Sequence, residues 1–300
     1  MASRNITKAV VLLAAPLMLA ACGGGAGGPG GPSFLGFSSM NAPGTTTING
    51  IGKEVSVDTK PGIENATAVS AFTATGKTSV DITLDGKEDI TAVAIKTPTT
   101  SEKWDASNSN LIENDGLLLA ERNDGRSYAV AASPEALGFE YQTFGVWATS
   151  NAEETKGKIG VFSVGAESKA SALPSAGTAA FKGAAGGIYT DKTGLADIVT
   201  AEATLGADFA ARKVSFATTQ TESLLAGSRS DLNLIGNLSY AAGSNELTGT
   251  VATAGGSMTG NADGRFYGPG AQEVGGIFAL KGKAPGSLES FGGGFGAVKK

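Results

Sequence analysis

Histidine is missing from this 300-residue sequence, and cysteine occurs once. Without histidine there can be no Ser-His-Asp or Cys-His triad, no HExxH zinc site and no histidine-ligated haem. A lone cysteine forms neither an internal disulfide nor a cysteine metal cluster. Ser-Lys or carboxylate chemistry is left in principle, but no catalytic residue, metal site or cofactor is assigned and an enzyme is not expected. Aromatic residues make up only 7% of the chain and charged residues 17%. What is plentiful is glycine, 45 residues against 10 prolines, which points to short strands and turns rather than a helical bundle.

The first segment reads as an export signal. Arg4 and Lys8 precede an apolar run over 9–21, AVVLLAAPLMLAA. At 1.5 Å per residue this run is shorter than the roughly 20 residues that ~30 Å of hydrocarbon requires, so a cleaved signal is expected rather than a spanning helix. It ends in Leu19-Ala20-Ala21-Cys22, which resembles the lipobox of bacterial lipoproteins. That resemblance implies lipidation of Cys22, cleavage before it and acylation of the new amino terminus; two or more acyl chains make a stable anchor. Gly23 and Gly24 follow, with no Asp beside the cysteine, which by resemblance to sorted lipoproteins favours the outer membrane. Cleavage would remove two basic residues and no acid, taking the formal charge from −5 to −7. An acidic chain of this kind is not expected to bind nucleic acid, which needs clustered Lys and Arg.

Residues 22–39 read as the lipidated cysteine and a Gly-rich tether, whose stretch GGGAGGPGGPS gives a coil of roughly 20 Å r.m.s. reach. Gly25, Gly27 and Gly30 satisfy G-x-G-x-x-G, but no strand precedes them and Pro29 interrupts, so a nucleotide site is rejected. Gly76-Lys77-Thr78 fails as a phosphate loop because Ala71 stands where a glycine is required.

The body alternates with period two. Leu232, Leu234, Gly236, Leu238 and Tyr240 share one face of 231–240, with Ile235 the exception; Val199, Ala201, Ala203, Leu205, Ala207 and Phe209 share a face of 199–209. One wet and one dry face per strand is the mark of antiparallel sheet. Asn114-Asp115-Gly116 and Asn123-Asp124-Gly125 read as hairpin turns rather than calcium loops. Eight strands are expected beyond residue 176: 177–183, 186–190, 198–209, 212–218, 231–241, 246–253, 256–267 and 275–298, the last in two halves broken at Pro285. The fold class is all-β: a strand-rich handle-like domain over 40–165, then an eight-stranded antiparallel barrel over 170–300. The Gly and Ala on the dry faces suggest a narrow barrel with little room for a ligand.

Several stretches carry a family resemblance. The start Gly177…Phe181-Lys182-Gly183, the strand Leu205…Asp208-Phe209 and the run MTGNADGRFYGPGAQEVGGIFAL over 258–280 resemble the β-barrel domain of transferrin-binding protein B and related surface lipoproteins. The most specific match is Gly264, Phe266, Tyr267, Gly268, Pro269, Ala271, Glu273, Gly275, Gly276 and Phe278. The likeness runs over about 139–299, taking Tyr141, Phe144, Gly145 and Trp147 as the strand leading in. The motif is read as scaffold. Gly268-Pro269-Gly270 makes a turn, Gly275-Gly276 lets strands approach, Phe266 and Phe278 pack inside, Tyr267 faces outward, and Glu273 accepts backbone N–H bonds to pin the hairpin.

The resemblance implies an outer-membrane, surface-displayed lipoprotein that binds a protein or solute in iron or haem acquisition, beside an outer-membrane receptor. A structural or adhesive envelope lipoprotein without a solute is the alternative. For haem, Tyr128, Tyr141, Tyr189, Tyr240, Tyr267, Met40 and Met258 would be the remaining axial ligands. Trp104, in the polar stretch SEKWDASNSN, reads as a loop residue and a candidate partner contact; the alternative is that it folds back onto the handle sheet.

Overall fold

In the computed structural model, residues 34–60, 63–114 and 116–300 are described. The signal segment, Cys22, the tether as far as residue 33, and Asp115 of the first predicted turn lie outside them. Strands make up 62% of the structure and helices 5%, and among the described residues no helix is long and apolar enough to cross a membrane.

The first half is one curled antiparallel sheet. Its strands are β1 (Gly44–Lys60), β2 (Ile63–Val69), β3 (Gly76–Leu84), β4 (Ile90–Lys96), β5 (Ser101–Asp105), β6 (Ser109–Asn114), β7 (Leu117–Arg122), β8 (Ser127–Ala132), β9 (Gln142–Ser150) and β10 (Lys156–Gly165). They run in the order β5-β4-β3-β1-β10-β9-β8-β7-β6, with β2 pairing β1 alongside. A single helical turn, α1 (Pro134–Leu137), interrupts the path between β8 and β9, started by Pro134 and ended by Gly138 at φ 68°. The two edges, β5 and β6, are neighbours in sequence, and the gap between β5 and β7 is bridged by Arg122, whose Nη2 lies 2.9 Å from Glu102 Oε2. The sheet therefore nearly closes around an interior of its own.

Trp104 lies in that interior. Contrary to the loop expected from its polar neighbours, it sits in β5, fully buried, with Nε1 donating to Ser127 O at 3.4 Å. The sequence around it is polar because alternate β5 residues face solvent, while Trp104 alone turns inward against Ile48, Ile95 and Phe162.

The second half closes completely. Its strands are β11 (Thr178–Thr190), β12 (Ala196–Asp208), β13 (Lys213–Ser223), the two-residue β14 (Gly227–Ser228), β15 (Leu234–Ser239), β16 (Leu247–Thr253), β17 (Met258–Tyr267), β18 (Glu273–Gly282) and β19 (Ser290–Lys299). The order β12-β11-β19-β18-β17-β16-β15-β13 returns on itself through β12–β13 pairing, which removes every edge from an eight-stranded barrel. The expected windows 177–183 and 186–190 prove to be the single strand β11, since Ala184 and Ala185 between them pair without interruption with β12 and β19. The window 275–298 is two full strands, with the reversal at 283–289 around Pro285.

The barrel is filled rather than merely narrow. Phe181, Phe209, Phe216, Phe266, Phe278, Phe291 and Phe295 all point inside with Leu234, Leu238 and Leu247. The space between Phe278, Phe291, Leu232 and Leu234 is about 10 Å³, too small for a ligand. Gly275, Gly292, Gly294 and Gly296 instead face the first sheet and the segments beside it.

Candidate functional site

The motif residues converge on the seam between the two sheets. Along β17 the side chains alternate, so Phe266 enters the barrel, where Phe209 and Tyr240 lie 5.7 Å away between ring centroids. Tyr267, one residue on, is buried on the opposite side, and its hydroxyl is 2.9 Å from Ser163 Oγ of β10. Burial holds the Tyr267 phenol well above its ordinary pKa. The segment linking the two sheets lies against the end of β17: Ser168 N donates to Phe266 O (2.9 Å) and Gly268 N to Ala166 O (2.8 Å). Asn245 locks this crossing, taking the Phe266 N–H and donating to Ser168 O.

Glu273 pins a different partner from the one expected. Its Oε1 accepts the N–H groups of Glu140 (2.7 Å) and Tyr141 (3.2 Å), which lead into β9, so it ties the first sheet to the barrel rather than pinning its own hairpin. Burial pushes its carboxyl up to about 7, against the pull of those N–H donors. Nearby, Lys53 of β1 reaches Asp263 of β17 at 2.9 Å, and Thr75 donates to the same carboxylate at 2.7 Å. Burial raises the pKa of Asp263, but these hydrogen bonds and the Lys53 charge outweigh it and leave it below the usual value.

Gly268 adopts φ 81° and a Cβ there would meet the Tyr141 ring at 2.6 Å; Pro269 follows it on the exposed turn. Gly264 and Gly276 face each other across β17 and β18. A side chain at Gly275 would strike Gln142. Phe278 meets Phe291 edge-on at 4.9 Å. Phe144, Gly145 and Trp147 lie in β9 of the first sheet, and Tyr141 directly precedes that strand.

Of the tyrosines and methionines considered for haem, Tyr141 and Tyr267 come together at the seam, packed around Gly165 and Gly268. Tyr189, Tyr240 and Met258 belong to the barrel core, Tyr128 lies among residues between the sheets, and Met40 packs at the margin of the first core. Among the described residues no group of three or more His, Cys, Asp or Glu is placed to hold a metal ion.

One surface feature was not legible in the sequence. Leu224 and Leu225, in the turn after β13, and Leu195, just before β12, are exposed. The Leu224 amide donates to Ile198 O, which brings that turn beside the start of β12. The adjacent 191–195 loop is held by β2, where Ala66 N donates to Gly194 O at 2.8 Å and Asn65 Nδ2 to Thr193 O at 3.0 Å. These leucines therefore stand at a barrel end to which both halves contribute. Only folding brings positions 195 and 224–225 together.

A single curled sheet joined by a built seam to a closed eight-stranded antiparallel barrel defines a two-unit, all-β class of protein. Within it, residues 173–299 match the family described as the C-lobe and N-lobe beta barrels of Tf-binding protein B, and this half is a TbpB-like β-barrel domain, one barrel in a single lobe. Similar solved structures include transferrin binding protein B of Haemophilus parasuis, at 11% identity and TM-score 0.44 over 86% of this chain and 76% of that one. Others are isotype 1 transferrin binding protein B of serogroup B Neisseria meningitidis, at 15% and 0.44 over 83% and 43%, and the N-lobe domain of lactoferrin binding protein B of Moraxella bovis, at 12% and 0.39 over 85% and 99%. No curated protein matches the sequence.

Proposed function

We propose that the protein is a surface-displayed outer-membrane lipoprotein, anchored through Cys22, that binds an iron-carrying protein in nutrient acquisition beside an outer-membrane receptor. The observation that carries this reading is the match of residues 173–299 to the barrels of a transferrin-binding protein. The filled barrel supports a protein partner over a solute held inside it, and the acidic chain supports a partner other than nucleic acid. On this reading the partner seats on the barrel end carrying Leu195, Leu224 and Leu225, because clustered exposed apolar side chains mark interaction surfaces. Trp104, fully buried in β5, offers no surface to that partner.

The test is a pull-down with iron-loaded and iron-free transferrin and lactoferrin, using the mature chain and a Leu224→Ser/Leu225→Ser variant. Retention of an iron-loaded carrier by the wild type, and its loss in a variant with unchanged melting temperature, is expected. Capture of no carrier, or equal capture by both chains, would contradict the reading.

A further inference from the structure

The interior of the first sheet, unlike that of the barrel, is not filled. Where the barrel sends seven phenylalanines inward, neighbouring strands β7 and β8 send Ala120, Ala129 and Ala131. The result is a cavity of about 320 Å³, within the ~300–1,000 Å³ of small-molecule sites. Its walls are apolar, with Ile82, Ile95 and Phe162 opposite the alanines and Trp104 closing one side. No tyrosine or methionine is among its lining residues, so it offers none of the haem ligands considered above.

Apart from the buried Thr143, whose hydroxyl donates to Ala132 O at 2.7 Å, the polar side chains lie at its opening. Glu88 and Asp89, from the turn between β3 and β4, and Glu113, at the end of β6, line the cavity and are exposed. In that turn Asp85 is committed to the backbone, its Oδ1 accepting the amides of Lys87 (2.7 Å) and Asp89 (3.1 Å). The charges of Asp85 and Lys87 offset each other. Three carboxylates therefore face an apolar chamber with no lysine or arginine among its lining residues. A carboxylate or sulfate head would be repelled there, whereas an ammonium head would be attracted, with its hydrocarbon chain taken up by the interior.

We infer that the first sheet is a binding chamber for a single small cationic amphiphile, an alkyl amine in chemical class, whose chain lies against Trp104 and whose charge sits among Glu88, Asp89 and Glu113. This site is separate from the barrel end assigned to the protein partner and does not depend on that reading.

Calorimetric titration of the mature chain at pH 7 with octylammonium, octanol and octanoate tests it, since the three share one chain and differ only in head charge. Octylammonium is expected to bind about tenfold or more tighter than octanoate, with octanol between them. Glu88→Lys with Glu113→Lys, at exposed positions that leave the core untouched, should reverse that order. Ala129→Phe should fill the chamber and abolish binding of octylammonium, its thermal melt reporting that the fold persists. Absence of heat with all three probes, affinities independent of head charge, or an order unchanged in the charge-reversal variant would overturn the inference.

Discussion

At the scale of single residues, environment rather than residue type decides what a side chain does. Trp104 is the clearest case. Its polar neighbours belong to the wet face of a short strand, and period two hides one large inward residue among them. Trp104→Ala is expected to cost about 3–5 kcal/mol of stability, measured by denaturant unfolding, because it removes a fully buried indole. A loss below about 1 kcal/mol would place it outside the core. Glu273 gives a pH signature. Its carboxyl ionises near 4.5 in the unfolded chain and at about 7 in the fold. Between those values the folded state holds a proton that the unfolded state has released, so this group's contribution to stability falls as pH rises from about 4.5 to about 7 and is constant outside that range. Glu273→Gln cannot ionise and should lose that slope. Melting temperatures of both chains across this range check it, with the difference on the order of 3 kcal/mol between the two ends.

At the scale of elements, β19 does two jobs by alternation. Phe291 and Phe295 fill the barrel, while Gly292, Gly294 and Gly296 leave a smooth outer stripe on which Phe72, Phe144 and Gln142 of the first half rest. A Cβ at Gly294 would lie 2.6 Å from Phe144 Cβ. Gly294→Ala is therefore expected to lower stability by about 1–3 kcal/mol. Combining it with Phe144→Gly, which removes that Cβ together with the ring, should cost less than the sum of the two single changes in a double-mutant cycle. Strict additivity would show that the sheets do not meet there. Much of the barrel was legible because its strands alternate cleanly and its motif residues are closely spaced in sequence. The seam was legible only in part. Tyr267 facing away from Phe266 follows from period two, but that Glu273 would meet Glu140 and Tyr141 is set by a packing between segments more than 130 residues apart, for which local pattern carries no signal. The first half read only as strand-rich, since its near closure depends on Arg122 reaching Glu102 across a gap. The apolar chamber arises from three alanines on two strands, too ordinary a composition to notice in a linear reading.

At the scale of the molecule, two β-units share one buried seam and present separate faces: a barrel end bearing exposed leucines and, in the other unit, a chamber with an acidic mouth. The proposed lipid anchor at Cys22 would hold both near the membrane on a glycine tether. In the proposed function the anchored lobe binds an iron-carrying protein. Growth of the producing bacterium with an iron-loaded carrier as sole iron source checks this, comparing a deletion strain complemented with the wild type or with Cys22→Ser. Growth is expected to be restored by the wild type and not by Cys22→Ser. A deletion strain that grows as well as its parent would contradict it.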